Sequence, residues 1–226
     1  GVRTYSNFEL MLREVELDAI VVATPSSFHG KMVRAALEKN LHVFCEKPVA
    51  VDAPGVRSVM ESSEMAKAKG LALVSGLCWR YHPGKLATFE QIKNGAVGDI
   101  VAMQCSYMTG GVWDPRRTRD KCDSEMEYQI RNWYYYTWLS GDHNVEQHVH
   151  SLDKAAWIMH DEPPVKAWGV GGRQVRTGTE FGHIYDHHAV IYEYVNGTRL
   201  FAFTRQGAGC TIDVSDTIYG EKGVAK

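Results

Sequence analysis

The stretch Asp18-Ala19-Ile20-Val21-Val22-Ala23-Thr24-Pro25-Ser26-Ser27-Phe28-His29 decides the fold of this chain. Residues 18–24 form a short apolar, β-branched run, as a strand covered on both faces requires. Pro25-Ser26-Ser27 breaks the run and offers a hydroxyl N-cap. Met32, Val33, Ala36 and Leu37 then recur at helical spacing through residues 28–39. Asn40 is a helix stop, and residues 41–45 (LHVFC) are a second strand that ends on Glu46-Lys47-Pro48. Asp52 and Pro54 open another helix, which Gly70 closes, and residues 71–75 are a third strand. Strands separated by such helices are β-α-β units. Residues 1–76 therefore predict a partial, doubly wound parallel sheet.

After Gly76 the pattern changes. A helix over about 85–94 leads into a longer strand at 100–107, and residues 109–132 are polar and turn-rich, the pattern of a long surface or active-site loop. The aromatic run 133–138 (WYYYTW) and a helix over about 145–159 follow. The strand candidate Val165–Gln174 comes next, then a hairpin that joins 189–194 to 199–204 through Asn196-Gly197. Residues 77–226 thus read as a second, α+β domain with a large, mostly antiparallel open sheet. Gly169-Val170-Gly171-Gly172 opens no helix and reads as a turn.

Composition narrows the function classes. The 226 residues are 44% hydrophobic and 23% charged, as in a folded domain, and the net charge of −2 with no block of Lys or Arg argues against nucleic acid. No apolar run approaches the ~20 residues that cross a bilayer. The first ten residues lack the basic start and apolar stretch of a signal peptide. The compartment stays open: cytoplasmic by default, periplasmic if a leader lies upstream. Five cysteines stand singly, with no C-x-x-C, so free buried thiols are expected rather than a disulfide framework.

Ligands of open parallel sheets bind beyond the C-terminal strand ends. At the first such end, residues 24–29 present helix-terminal amides suited to a phosphate or a polar ring edge, with an ordinary capped helix and a surface His29 as the plainer reading. At the second, Lys47 stands between an acid and a proline, placed to bind a substrate hydroxyl and stabilise oxyanion character; a solvated lysine is the alternative. In the segment 142–157, Glu146, His150, Asp153 and Trp157 share one helical face. A carboxylate beside an imidazole suits a general base near neutral pH. A metal held by His143, Glu146, His150 and Asp153 is a rival reading that the absence of H-E-x-x-H weighs against, and a buried helix with satisfied histidines is another.

Four segments taken together, DAIVVATPSSFH (18–29), LHVFCEKPVAVD (41–52), LVSGLCWRYHP (73–83) and HSLDKAAW (150–157), resemble the Gfo/Idh/MocA oxidoreductases, the relatives of glucose–fructose oxidoreductase and inositol dehydrogenase. The resemblance covers roughly residues 10–160. It implies a Rossmann domain that binds NAD or NADP, followed by a substrate and oligomerisation domain. It also implies hydride transfer with a secondary hydroxyl of a sugar or cyclitol. Lys47, Glu146 and His150 would be catalytic, with Glu146 in place of a more usual Asp. Thr24, Pro25, Ser26, His29, Glu46, Lys47, Pro48, Trp79 and Arg80 would line the cofactor. Arg131, Trp133, Tyr135 and His143 would face substrate, with plain aromatic core as the alternative for the tyrosines and tryptophans. His183, Tyr185, Asp186 and His187 are further candidates. No metal is expected.

The chain departs from the family pattern in having no G-x-G-x-x-G and no ribose-binding acid about 20 residues beyond one. The resemblance places that portion before Gly1, so the chain reads as cut at both ends and is expected to bind NAD(H) poorly by itself. An exposed sheet edge would favour a homo-oligomer. Two other functions remain open: an NAD-dependent glycoside hydrolase of the same superfamily, marked by free sugar released without net NADH, and a non-catalytic fragment.

Overall fold

Asn7 caps the first helix, α1 (Phe8–Glu14), its side chain accepting from the Leu10 amide at 2.8 Å. The computed structural model describes residues 2–226, in two units that divide between Gly76 and Leu77. In the first unit the apolar run reaches strand geometry over β1 (Ala19–Val22). A 3₁₀ turn at Ser26–Phe28 precedes α2 (His29–Glu38), and the N-cap of α2 is Phe28, with no side-chain cap bond. The expected hydroxyl N-cap is therefore not formed, because the intervening turn moves the helix start past both serines.

β2 (His42–Cys45), α3 (Ala53–Lys69) and β3 (Leu73–Ser75) follow. The Asp52 carboxylate caps α3 by accepting from the Gly55 amide at 2.7 Å, and Gly70 ends it at φ 66°. The three strands pair in parallel in the order β1-β2-β3, with Val22, Cys45 and Ser75 on one row at their C-terminal ends. Leu12, Val22, Val33, Leu37, Val43 and Ala66 form the core beneath.

In the second unit, His82 caps α4 (Pro83–Lys93) and leads to β4 (Ile100–Thr109). The segment read as a loop contains a helix, α5 (Glu125–Arg131), with Ser124 capping the Glu127 amide at 3.1 Å and Glu127 accepting in turn from the Asp123 amide. The helix escaped the periodicity reading because seven residues carry too few apolar positions. A short α6 (Thr137–Ser140) precedes a π-helical turn over Asn144–His148, which opens into α7 (Val149–Ile158). The strict i, i+4 geometry assumed between Glu146 and His150 is thus replaced by a widened turn, a feature common at functional sites.

Four further strands complete the unit: β5 (Lys166–Gly172), β6 (His187–Glu193), β7 (Arg199–Gln206) and β8 (Asp213–Gly220), with the short β9 (Val224–Ala225) at the end. The sheet runs β5-β6-β7-β4-β8-β9, and β4–β7 is its one parallel pair among the described residues. Gly169–Gly172 is strand rather than turn. A Cβ on Gly169 would sit 2.4 Å from the Ala189 carbonyl oxygen, so glycine permits the close approach of β5 to β6. On one sheet face Met103, Leu200, Ala202 and Ile218 pack with Ile92, Ala155, Ile158 and Met159 from α4 and α7 and the residue after α7.

Candidate functional site

The first unit offers the aligned C-terminal edge of its three parallel strands. The segments after β1 and β2 are joined there by His29, which is buried rather than on the surface. Its Nε2 lies 2.7 Å from the Thr24 carbonyl oxygen and its Nδ1 lies 2.8 Å from the Pro48 carbonyl oxygen. His29 is therefore a brace between the two strand ends. Glu46 and Lys47 leave the central strand at this edge, with the Lys47–Pro48 peptide cis and the Glu46 carboxylate against Gly76, where a Cβ would meet it at 2.6 Å. Thr24, Pro25, Ser26, His29, Glu46, Lys47 and Pro48 are thus brought to one edge.

These residues suit the reactive end of a dinucleotide, which needs a polar rim at the strand termini. They do not seat a pyrophosphate. Neither strand-to-helix junction, residues 23–28 or 46–52, has the glycine-rich turn that lets backbone amides approach one.

The second unit places its candidates around the start of α7. Glu146 is buried within the π-helical turn and His150 is half-buried on the first turn of α7. Asp142 precedes them at φ 77°, a left-handed conformation that Asp tolerates better than most residues. Burial opposes ionisation of its carboxyl. The His143 and His188 rings and the Tyr185 amide override that, holding the group well below the usual carboxylate range.

His143 is fully buried. Its Nδ1 faces the Tyr185 carbonyl oxygen at 2.9 Å and Asp142 Oδ1 at 3.2 Å, two acceptors, so this nitrogen carries the proton. Burial, foremost, keeps the ring neutral by lowering its pKa. Burial likewise drives His148 down to about 3. Its Nδ1 lies 3.0 Å from Asn144 Oδ1, and its Nε2 lies 3.3 Å from the Cys105 thiol, which burial keeps protonated.

A buried chain of polar groups leads away from this point. The Arg176 guanidinium donates to the Tyr185 carbonyl and, at 2.5 Å, to Gln206 Oε1. Gln206 Nε2 donates to the Tyr134 hydroxyl at 2.8 Å. Burial raises the Tyr134 pKa, and the nearby Glu146 carboxylate adds to the effect. Asp186 Oδ2 accepts from the successive amides of Gln174, Val175 and Arg176, and Oδ1 lies 2.8 Å from His187 Nδ1. Burial works against ionisation of Asp186, and these bonds bring its pKa down to about 2. Sequence spacing does not reveal Asp142, Arg176, His188 or Gln206, since their partners lie up to 72 residues away.

Ligand atoms of Asp142, His143 and His188 lie within 4.8 Å of one another, the group of potential metal ligands among the described residues. It differs from the quartet of the rival metal reading, His143, Glu146, His150 and Asp153. Asp153 is taken by Arg80, whose Nε donates to it at 2.9 Å while Nη2 also pairs with Asp161 at 2.5 Å. Trp79 lies 5.5 Å from the His82 ring and under the Lys154 ammonium at 5.6 Å. Arg131 and Trp133 share a cleft of about 320 Å³. Tyr135 is buried, with its hydroxyl on the Trp113 carbonyl and its ring 5.3 Å from Phe181. His183 Nδ1 accepts from the Thr137 amide at 3.2 Å, and Tyr185 is exposed.

Residues 1–77 match a family model described as "Oxidoreductase family, NAD-binding Rossmann fold", and residues 86–226 match the "GFO/IDH/MocA C-terminal domain". An inositol 2-dehydrogenase of Pseudomonas syringae pv. syringae is 24% identical over 226 residues, which cover 100% of this chain and 59% of that protein. A 2,7-anhydro-N-acetylneuraminate hydratase of Escherichia coli is 24% identical over 192 residues, covering 85% of this chain and 46% of that one. Among solved structures, the myo-inositol 2-dehydrogenase of Lactobacillus plantarum superposes with a TM-score of 0.76 at 23% identity, over 98% of this chain and 60% of that one. The scyllo-inositol dehydrogenase of Lactobacillus casei with bound NAD(H) and scyllo-inositol gives 0.75 at 19% identity, over 97% and 60%. The chain thus spans about three-fifths of the length of the inositol dehydrogenases it matches.

Proposed function

Since this chain belongs to the Gfo/Idh/MocA oxidoreductase family, we propose that its whole protein transfers a hydride between NAD or NADP and a secondary hydroxyl of a sugar or cyclitol. The observation that carries this reading is the C-terminal row of three parallel strands, with Glu46-Lys47 leaving the central one. The names of the inositol dehydrogenases among the relatives support the substrate class.

When bound, the nicotinamide accepts or returns the hydride. Thr24, Pro25, Ser26, Glu46, Lys47 and Pro48 would hold that end of the cofactor, with His29 bracing the rim, and the family resemblance adds Trp79 and Arg80 to its contacts. Lys47 binds the reacting oxygen and stabilises negative charge developing on it. His150 would take the hydroxyl proton, and Glu146, buried in the widened turn before it, would raise its basicity. Arg131, Trp133, Tyr135 and His143 belong to the substrate side, Tyr135 and His143 from within its wall. Removal of a positioned acid–base group costs about 10²–10⁴-fold in rate. His150→Ala and Lys47→Ala in the whole protein are therefore expected to lose most NAD(P)-linked oxidation of inositols and sugars while remaining folded. Near-normal turnover in either variant overturns the assignment.

The second-unit sheet also supports a homo-oligomer. Opposite its packed face, register aligns Trp168, Ile191 and Phe201 in one row and Val170, Ala189 and Phe203 in the next. Trp168 and Val170 are exposed, and the two phenylalanines are half-buried. A second copy covering this face would remove that apolar surface from water. Sedimentation of Phe203→Asp against the unchanged protein tests it: identical mass for both excludes this face as the interface. No helix among the described residues is long and apolar enough to cross a membrane.

A further inference from the structure

We propose that the cleft lined by Arg116, Arg117, Ile130, Arg131 and Trp133 binds an anionic sugar unit, a ring bearing a carboxylate or a phosphate. The inference deepens the proposed function and rests on its reading of the second unit as the substrate side. At about 320 Å³ the cleft falls at the small end of the range of small-molecule sites.

Its charge is out of keeping with the chain, whose net charge is −2. Three guanidiniums meet there. The Glu127 carboxylate pairs with one of them, Arg131, at 2.6 Å. Among the described residues, Arg116 and Arg117 form no ion pair within 4.0 Å. Neither is thus in contact with a carboxylate, although Glu127 also acts on Arg117 at longer range, and guanidinium pairs match carboxylate and phosphate oxygens in geometry as well as charge.

The cations are held by a rigid backbone. Asn132, between Arg131 and Trp133, is buried. Its Oδ1 accepts from the Arg116 amide at 2.7 Å and the Arg117 amide at 3.2 Å, while its Nδ2 donates to the Arg117 carbonyl at 3.0 Å and the Tyr128 carbonyl at 3.1 Å. One buried amide thus fixes the loop that carries two arginines against the helix end that carries the third. Such pre-organisation lowers the ordering cost of binding.

An aromatic wall accompanies the charge. The Arg116 guanidinium lies over the Trp113 ring at 4.7 Å, and the Trp113 and Trp133 rings are 6.2 Å apart. Trp133 supplies a flat apolar surface for a sugar ring beside the cations. A neighbouring cavity of about 450 Å³ shares Arg117 but also holds Asp114 and Glu180, and its Arg119 is paired with Glu125 at 3.0 Å. Mixed charge makes that side the poorer anion site.

Calorimetric titration of the full chain with D-glucuronate, glucose 6-phosphate, D-glucose and inorganic phosphate tests the proposal. One or both anionic sugars are expected to bind at least about tenfold more tightly than glucose, and more weakly as salt rises. The carboxylate and phosphate arms identify which anion is taken. Arg116→Gln with Arg117→Gln should reduce that affinity at least tenfold, and lysine at both positions should restore part of it. Should the glutamine pair fail to fold, Arg131→Gln and the salt series on the unaltered chain decide. Equal binding of glucose, inorganic phosphate bound as tightly as the sugar phosphate, or unaltered affinity in the charge-removed variants would each overturn it. Oxidation of neutral inositols by the whole protein is measured separately, so absence of anion binding by the unaltered chain with oxidation retained rejects this site alone.

Discussion

Replacing Arg80 by Met tests the electrostatics of the second unit directly. The Arg80 side chain is 28% exposed, its partner Asp153 is 7% exposed and its other partner Asp161 is 59% exposed. Methionine keeps an apolar stem near the Trp157 ring, over which the guanidinium lies at 5.7 Å, and deletes only the charge. Losing one partner of a buried pair costs about 3–5 kcal/mol, and an exposed pair contributes about 0–1 kcal/mol. Water reaches part of the Arg80 site, so a total of about 2–3 kcal/mol is expected, carried mainly by Asp153.

The pH dependence follows from the signs. Burial holds the Asp153 pKa above its ordinary value despite Arg80, so its ionised form costs stability as pH rises through that pKa. Hydrogen bonding to Arg80 holds Asp161 below its ordinary value, so its contribution is present above the unfolded pKa and is lost as pH falls. Deleting the guanidinium worsens the first and abolishes the second, and both changes grow with pH. Urea unfolding followed by tryptophan fluorescence should therefore show a larger loss at pH 7.5 than at pH 4.5. Asp153→Asn added to Arg80→Met should recover most of it, because no carboxylate then remains buried without its guanidinium. A loss below about 0.5 kcal/mol, within the range of an ordinary surface change, an equal loss at both pH values, or no recovery in the double variant would refute the reasoning.

Three shorter predictions concern other parts of the chain. His29→Ala strips a partner from the Thr24 and Pro48 carbonyls and should destabilise the first unit by about 1–3 kcal/mol in urea unfolding. Gly169→Ala drives a methyl group into the Ala189 carbonyl and should cost about 1–3 kcal/mol, with faster amide exchange along β5. His148 is held neutral by burial down to about pH 3 in the folded chain. Below the ordinary histidine pKa the unfolded state binds the extra proton, so this site removes stability progressively as pH falls from about 6.5. His148→Gln should flatten that limb of the stability–pH curve.

The elements legible in the sequence were those whose cause is local. Asp52 and Gly70 bracket α3 through a cap and a left-handed stop, both properties of the residue itself. The run 18–24 betrays its strand by β-branched composition alone, and the expected cover on both faces is not found: Val22 is buried in the core, whereas Val21 on the opposite face is 71% exposed. Ser124 and Glu127 carried a usable capping signal for α5 as well, one that the polar loop composition around it obscured. The remainder depends on distant partners. β5 holds three glycines in seven residues, against strand preference, and only its approach to β6 accounts for them. The π-helical turn has no composition of its own. Arg176, Gln206 and Tyr134 join across 30 and 72 residues, a separation that no periodicity encodes.

The distribution of buried charge has a reason other than stability. Buried charged groups often match well-packed apolar groups at best in free energy, yet they sit at both ends of the segment that carries Glu146 and His150. Before it, Asp142 is fixed by two imidazoles and the Tyr185 amide. After it, Asp153 is held by Arg80, and Lys154 by Asp216. A widened turn has slack that apolar packing alone leaves rotationally loose, whereas directional bonds at each end set its angle. The Arg80→Met, Asp153→Asn variant separates the two roles, for it should be nearly as stable as the unaltered chain. If these charges orient His150, that stable variant must shift the pH profile of kcat at saturating NAD(P), a readout that loss of an Arg80 contact to the cofactor, which raises the KM for NAD(P), does not move. A variant both stable and fully active would reduce the flanking charges to packing.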